Sequence, residues 1–227
     1  VIRPDHERFP KHRHLLIGGQ RWPVDAQAVL WPDSGLEVRV GRGARRRGDG
    51  AIDKFVWHWT GGENDIRTLF RVLQGRELAV EFAIDVSGIV WQFCDPAEVD
   101  TFDAGAVNRT SAGCEVVNYG FVAPGREPPP RGVGRGTYRR TFRGSMREFA
   151  RFHPAQLRAA LALAETVSRA LPVPRVIPRE PDGSIMARTM RSAELVAYRG
   201  HLGHYHVSER KSDPGLDLLE SLAAAGF

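Results

Sequence analysis

Two cysteines, Cys94 and Cys114, are all that the 227 residues contain. They are too few for a disulfide framework or a cysteine-based zinc knuckle, and both read as buried core thiols. Long apolar runs are also missing, since no stretch approaches the roughly 18 residues of a membrane-spanning helix. Lysine is scarce. Of 32 basic residues only Lys11, Lys54 and Lys211 are lysines, so each can be questioned individually. Hydrophobic residues at 42% and charged residues at 26% exclude collagen-like, coiled-coil and largely disordered chains. The length suits one domain, or one domain with an extension.

The formal charge of +5 favours an anionic partner such as nucleic acid, a membrane surface or an acidic wall polymer. No ordered pattern of aromatic and basic residues accompanies the arginines, so nucleic-acid binding is not expected. Residues 1–52 form a basic, proline-containing N-terminal extension of unknown role, with short strands expected at Leu15–Ile17 and Leu36–Val40 and a flexible run at Arg45-Arg46-Arg47. From residue 53 the texture changes. Phe55–Thr60 is bulky and β-rich and closes on Gly61-Gly62, which reads as a buried strand ending in a loop. Ile66, Leu69, Phe70 and Leu73 then recur at helical spacing after a cap at Asn64-Asp65.

A hairpin is expected over Val80–Asp85 and Ile89–Cys94, with Gly88 in its turn, and a further strand over Gly113–Tyr119. The Pro/Gly/Arg-rich stretch 121–151 reads as a long surface loop whose arginines could clamp anionic groups. Pro154 opens a strong helix running to Leu171. A short strand at Val176-Ile177, a helix near Ser192–Tyr198, a loop from Gly200 to Gly215 and a helix from Leu216 to Ala224 complete the chain. Strands and helices interleave, so the expected class is α/β, a central mixed β-sheet flanked by helices.

Histidine supplies the chemistry. His58 stands at the end of an apolar strand, and His201, His204 and His206 crowd one loop that continues to Asp213. Two imidazoles and a carboxylate make a three-ligand zinc site with a fourth position open, the pattern of catalytic rather than structural zinc.

These residues carry a resemblance. Val56-Trp57-His58-Trp59-Thr60, Glu81-Phe82-Ala83-Ile84-Asp85 with Gly88 and Gln92, and Ala104-Gly105 with Asn108, Ser111, Gly113 and Glu115 follow one another in order. Gly203-His204-Tyr205-His206-Val207-Ser208 and Lys211-Ser212-Asp213-Pro214-Gly215 close the series. Together, over about residues 54–222, the stretch resembles the type 2 N-acetylmuramoyl-L-alanine amidases, a family shared with peptidoglycan recognition proteins and phage lysozyme-type amidases. The resemblance implies one Zn2+ ion held by His58, His204 and Asp213, with His201 and His206 as neighbours, in a zinc amidase domain spanning 53–227. It implies hydrolysis of the amide between N-acetylmuramic acid and L-alanine in peptidoglycan or muropeptides, for wall lysis, remodelling or muropeptide processing. The alternative is a non-catalytic peptidoglycan-binding module, whose mark would be a lost ligand; none is lost here.

Within that resemblance Glu115 is the expected proton carrier, because strand alternation puts Glu115, Val117 and Tyr119 on one face and a carboxylate there is costly to bury without a task. Lys211, two residues before Asp213, is the expected oxyanion-stabilising cation. Trp59, Thr60 and Asn108 are expected substrate contacts. Three departures from the family pattern stand out: Val80 where some relatives have Tyr, Asp103 where a His commonly precedes Ala-Gly, and the length of 121–151. The implied location is the bacterial periplasm or the extracellular wall; no signal peptide is visible in this stretch, and a monomer is the favoured oligomeric state.

Overall fold

The computed structural model describes residues 5–62, 65–122 and 136–227. Among them the main sheet has seven strands. In chain order these are β1 (His12–Ile17), β2 (Gln20–Leu30), β4 (Lys54–Trp59), β5 (Phe82–Ile84), β6 (Val90–Gln92), β8 (Ser111–Val116) and β11 (Gly200–Gly203), the gaps being β3 (Ala44–Arg46), β7 (Val99–Thr101), β9 (Thr137–Phe142) and β10 (Ser145–Ala150) in two small sheets. The order across the main sheet is β1-β2-β6-β5-β8-β4-β11. β5, β8, β4 and β11 run parallel to one another, as do β2 and β6, while β1–β2 and β5–β6 are antiparallel. The mixed α/β class read from the sequence is the observed one.

Alternation along the strands sorts the side chains onto two faces. Phe55, Trp57, Phe82, Ile84, Cys114 and Val116 pack with helix α3 (Pro154–Ala170) and helix α6 (Asp217–Ala224) in the largest apolar cluster. On the other face Ala83 and Trp91 meet Ile66, Leu69 and Leu73 of α2 (Ile66–Gly75). Val56 and Leu202 meet Leu195 of α4 (Ser192–Ala197) in a third cluster. The two remaining helices are single turns, α1 (Trp31–Ser34) and α5 (His204–Val207). No helix among the described residues is long and apolar enough to cross a membrane. Cys94 and Cys114 are free, buried thiols in different clusters.

Helix starts follow their capping chemistry. The Asp65 carboxylate accepts from Thr68 N at 2.8 Å, capping α2, whereas Asn64 lies outside the described residues. At α3, Pro154 takes the first turn, where its missing N–H costs nothing, and Gln156 accepts from His153 N at 3.0 Å while donating to Val117 O at 2.7 Å. That second bond ties the helix to the strand that carries Glu115.

Six expectations need correction. Residues 12–30, read as part of an appended extension, supply two strands of the main sheet; Val24, Ala26 and Ala28 are buried at every second position. Leu36–Val40 is not a strand, and the arginine run enters β3, paired with β7. Gly200–Gly203 is a strand rather than loop, fully buried and therefore without polar alternation, and Val176-Ile177 is irregular. The stretch 137–150 is the β9–β10 hairpin, its Tyr138, Phe142 and Phe149 in the main core. Arg126, Pro128-Pro129-Pro130, Arg131, Gly132, Gly134 and Arg135 lie outside the described residues.

Candidate active site

β8, β4 and β11 are adjacent and parallel, so their C-terminal ends form one edge, the usual place for a site in an α/β sheet. His58 is the next-to-last residue of β4, Glu115 is its partner on β8, and His204 follows β11 directly. Asp213 comes from the loop between α5 and α6. The structure brings His58, His204 and Asp213 together, with one ligand atom from each lying within 4.8 Å of the others. Both imidazoles aim Nδ1 at the same Asp213 oxygen, Oδ2, at 3.1 Å from His58 and 3.0 Å from His204. The rings meet edge to face, centroids 4.6 Å apart.

Electrostatics match that geometry. Burial disfavours a charged His58, but hydrogen bonds to Asp103 and Asp213, and the charges of Asp103 and Glu115, outweigh it and raise its pKa to about 10. Burial would raise Asp213; the hydrogen bonds from His204 and His58 overcome it and hold the carboxyl well below its usual range. Burial dominates at His204, which is pushed down despite Asp213. The site thus favours a positive charge between two imidazoles and a carboxylate, and it offers two nitrogens and one oxygen, a donor set suited to catalytic zinc.

Glu115 shares the cleft of about 320 Å³ with these residues. Its Oε2 is buried and has no hydrogen-bond partner among the described residues. Burial raises its pKa to about 8, with His58 opposing and Asp213 and Asp103 adding to the rise. Lys211 is exposed and lines the same cleft. Trp59 and Thr60 line it too. Trp59 is wedged between Gly120 and Gly215, where an added Cβ would come within 2.6 and 3.0 Å of its ring, so glycine is needed at both positions. Thr60 gives its hydroxyl hydrogen to Gly62 O at 2.7 Å. Asn108 does not join them. Its Oδ1 accepts from Ala104 N at 2.8 Å, and it lines a separate hollow beside Phe102.

The other histidines separate by face. His201 points into the main core, Nε2 2.9 Å from Ser168 Oγ and its ring stacked on Trp57. It is not a neighbour of the triad. His206 holds the turn after His204, with Nδ1 accepting from Gly203 N at 2.9 Å and Nε2 donating to Met186 O at 3.0 Å.

Two features escaped sequence reasoning. Asp103, noted only as a departure, hydrogen-bonds His58 through Oδ2 at 3.2 Å from Nε2. The β9–β10 hairpin holds the ligand-bearing loop: Tyr138 Oη accepts from Leu216 N and Asp217 N at 3.0 and 3.1 Å. Arg143, at the hairpin tip, donates to Tyr205 O, Ser208 O, Glu209 O and Thr189 Oγ1. Arg140 is likewise engaged, by Glu220 at 2.8 Å. These arginines bind the protein itself rather than waiting for an anion. The apolar alternation of Tyr138, Phe142 and Phe149 was the available signal.

Fold and site define an α/β protein whose titratable groups gather at the C-terminal ends of adjacent parallel strands. Residues 48–216 match the family model described as N-acetylmuramoyl-L-alanine amidase, and the chain belongs to that family. Among solved structures it is similar to the Escherichia coli N-acetylmuramyl-L-alanine amidase AmiD, solved with anhydro-N-acetylmuramic acid-L-Ala-D-gamma-Glu-L-Lys, at 20% identity and TM-score 0.48. That match covers 78% of this chain and 58% of AmiD, so the chain spans under two thirds of that relative. AmpDh3 from Pseudomonas aeruginosa, solved with anhydromuramic pentapeptide, matches at 18% identity and TM-score 0.47, over 78% of this chain and 60% of its own. Drosophila PGRP-LB matches at 14% identity and TM-score 0.48, over 88% and 95%. No curated protein sequence matches the chain.

Proposed function

We propose that this chain is a zinc-dependent amidase that cleaves the bond between N-acetylmuramic acid and L-alanine in peptidoglycan or its fragments. The observation that carries the reading is the convergence of His58, His204 and Asp213 in a cleft where Glu115 stands opposite His58. Family membership supports the amide substrate. His58 and His204 would hold one zinc ion through Nδ1, and Asp213 through a carboxylate oxygen. Bound there, zinc supplies Lewis-acid chemistry, acidifying water and polarising a carbonyl.

The chain's own groups do the rest. Glu115 takes a proton from the attacking water as the new C–O bond forms, and returns it to the leaving amine of L-alanine as the amide C–N bond then breaks. Lys211 presents its ammonium to the oxygen of the former carbonyl, where negative charge develops. Trp59 walls the cleft with an apolar surface. An enzyme of this activity works where peptidoglycan is, in the periplasm or at the extracellular wall, and the net positive charge suits that anionic polymer.

The test is zinc content of the purified protein together with digestion of purified sacculi and of soluble anhydro-muropeptides. One zinc per chain and release of free stem peptides are expected. A zinc-loaded protein that releases no stem peptide from either substrate overturns the reading.

A further inference from the structure

Asp103 lies between β7 and the 3₁₀ turn Gly105–Thr110, with its side chain 3% exposed. A buried carboxylate is costly without a partner, and among the described residues it meets the Nε2 of His58. Room for it is made on β8. A Cβ at Gly113 would fall 1.8 Å from Asp103 Oδ2, so the carboxylate occupies the space that any other residue at 113 would fill. Gly113 is itself fixed, its N–H donating to the buried Glu81 Oε2 at 2.7 Å. The turn that delivers Asp103 is fixed as well, by the bond from Ala104 N to Asn108 Oδ1.

An imidazole has two nitrogens, and the hydrogen bond made by one decides which of them is free to coordinate. His58 Nδ1 faces Asp213 and His204, whereas Nε2 faces away from them, into Asp103. We infer that Asp103 is a positioning residue for metal binding: it accepts Nε2–H of His58, fixes the ring and its tautomer, and so leaves the Nδ1 lone pair aimed at the ion shared with His204 and Asp213. The inference rests on the metal reading above. It also gives Asn108, expected as a substrate contact, and Gly113 a role as the residues that place the carboxylate. A carboxylate behind a ligating imidazole typically changes metal affinity by about 10- to 100-fold.

The experiment is a zinc titration of the full chain against a chromophoric chelator, combined with 15N NMR of the His58 ring. Wild type is expected to bind one zinc and to show Nδ1 coordinated and Nε2 protonated. Asp103→Leu, which fills the space without an acceptor, should weaken zinc binding about 10- to 100-fold and give mixed tautomers once the metal-free ring is titrated to its neutral form. Asp103→Asn keeps an oxygen acceptor and should retain the tautomer with a smaller loss. Gly113→Ala, which expels the carboxylate, should reproduce the Leu phenotype and be non-additive with it. It also provides the reading if the Leu variant does not fold. Wild type binding one zinc while the Leu or Gly113→Ala variant, folded by circular dichroism, binds it within about twofold overturns this inference alone. Wild type that takes up no zinc overturns the metal reading and this inference with it.

Discussion

His58 and Glu115 are partners across β4 and β8, so both side chains leave the same face of a parallel pair at the same level. A ligand candidate and a proton carrier are therefore held by backbone register rather than by a flexible loop. Glu115→Gln preserves shape and removes the exchangeable charge. The expected result is kcat lowered by about 10²- to 10⁴-fold with zinc content unchanged. Near-wild-type turnover would remove Glu115 from the mechanism.

Lys211 stands at the cleft wall in a chain that otherwise uses arginine for nearly all its basic residues. Lys211→Ala should lower kcat by about 10²- to 10³-fold with little change in zinc affinity. Lys211→Arg should restore little, because a planar fork does not replace a compact point charge at the end of a flexible stem. Full rescue by arginine would mean that only net charge matters there.

Metal uptake should release protons. His58 is raised to about 10, so in the metal-free protein at pH 7 it carries a proton that coordination must displace. His204 is lowered and already uncharged at that pH, and Asp213 is ionised. The sign follows: zinc affinity rises with pH until His58 has deprotonated near pH 10. Calorimetry at pH 7 in buffers of different ionisation enthalpy should find at least one proton released per zinc. No release would contradict the paired state of His58.

Arg143 bridges the hairpin tip and the 205–209 turn through three carbonyl acceptors, with Thr189 Oγ1 as a fourth partner. Arg143→Ala should speed amide exchange through residues 205–213 and weaken zinc binding about fivefold, equivalent to roughly 1 kcal/mol. The measurements are hydrogen exchange by mass spectrometry and the same chelator competition. Exchange confined to wild-type rates would make the contact incidental.

The legible parts of this fold were those whose signal is local. The strand carrying His58, the capped helix after Asp65, the Asp85–Ile89 turn and the helix behind Pro154 all announce themselves by period, cap or turn chemistry. The illegible parts were those masked by a competing local signal. Pro10 and Pro23 made 12–30 look like an appended extension with one short strand at Leu15–Ile17, although Val24, Ala26 and Ala28 alternate. Arginine density hid the Tyr138, Phe142 and Phe149 face. At the site, ordered motifs pointed to His58, His204 and Asp213, yet no sequence spacing could reveal that Asp103 reaches His58, since that contact depends on the empty volume at Gly113. Asn108 shows the reverse: a motif position whose side chain serves its own turn.

The placement of β11 has a mechanical consequence. It is the outermost strand of the main sheet, only four residues long and paired on one side, to β4. An ion gripped by His58 of β4, by His204 immediately after β11 and by Asp213 nine residues further on would act as a rivet through the sheet's margin, joining the edge strand to its neighbour with coordinate bonds. Stripping the ion would then leave the C-terminal segment fastened by its apolar packing and by hydrogen bonds, those of Tyr138 and Arg143 among them, so that proteolytic nicking should begin at this margin while the centre of the sheet stays closed.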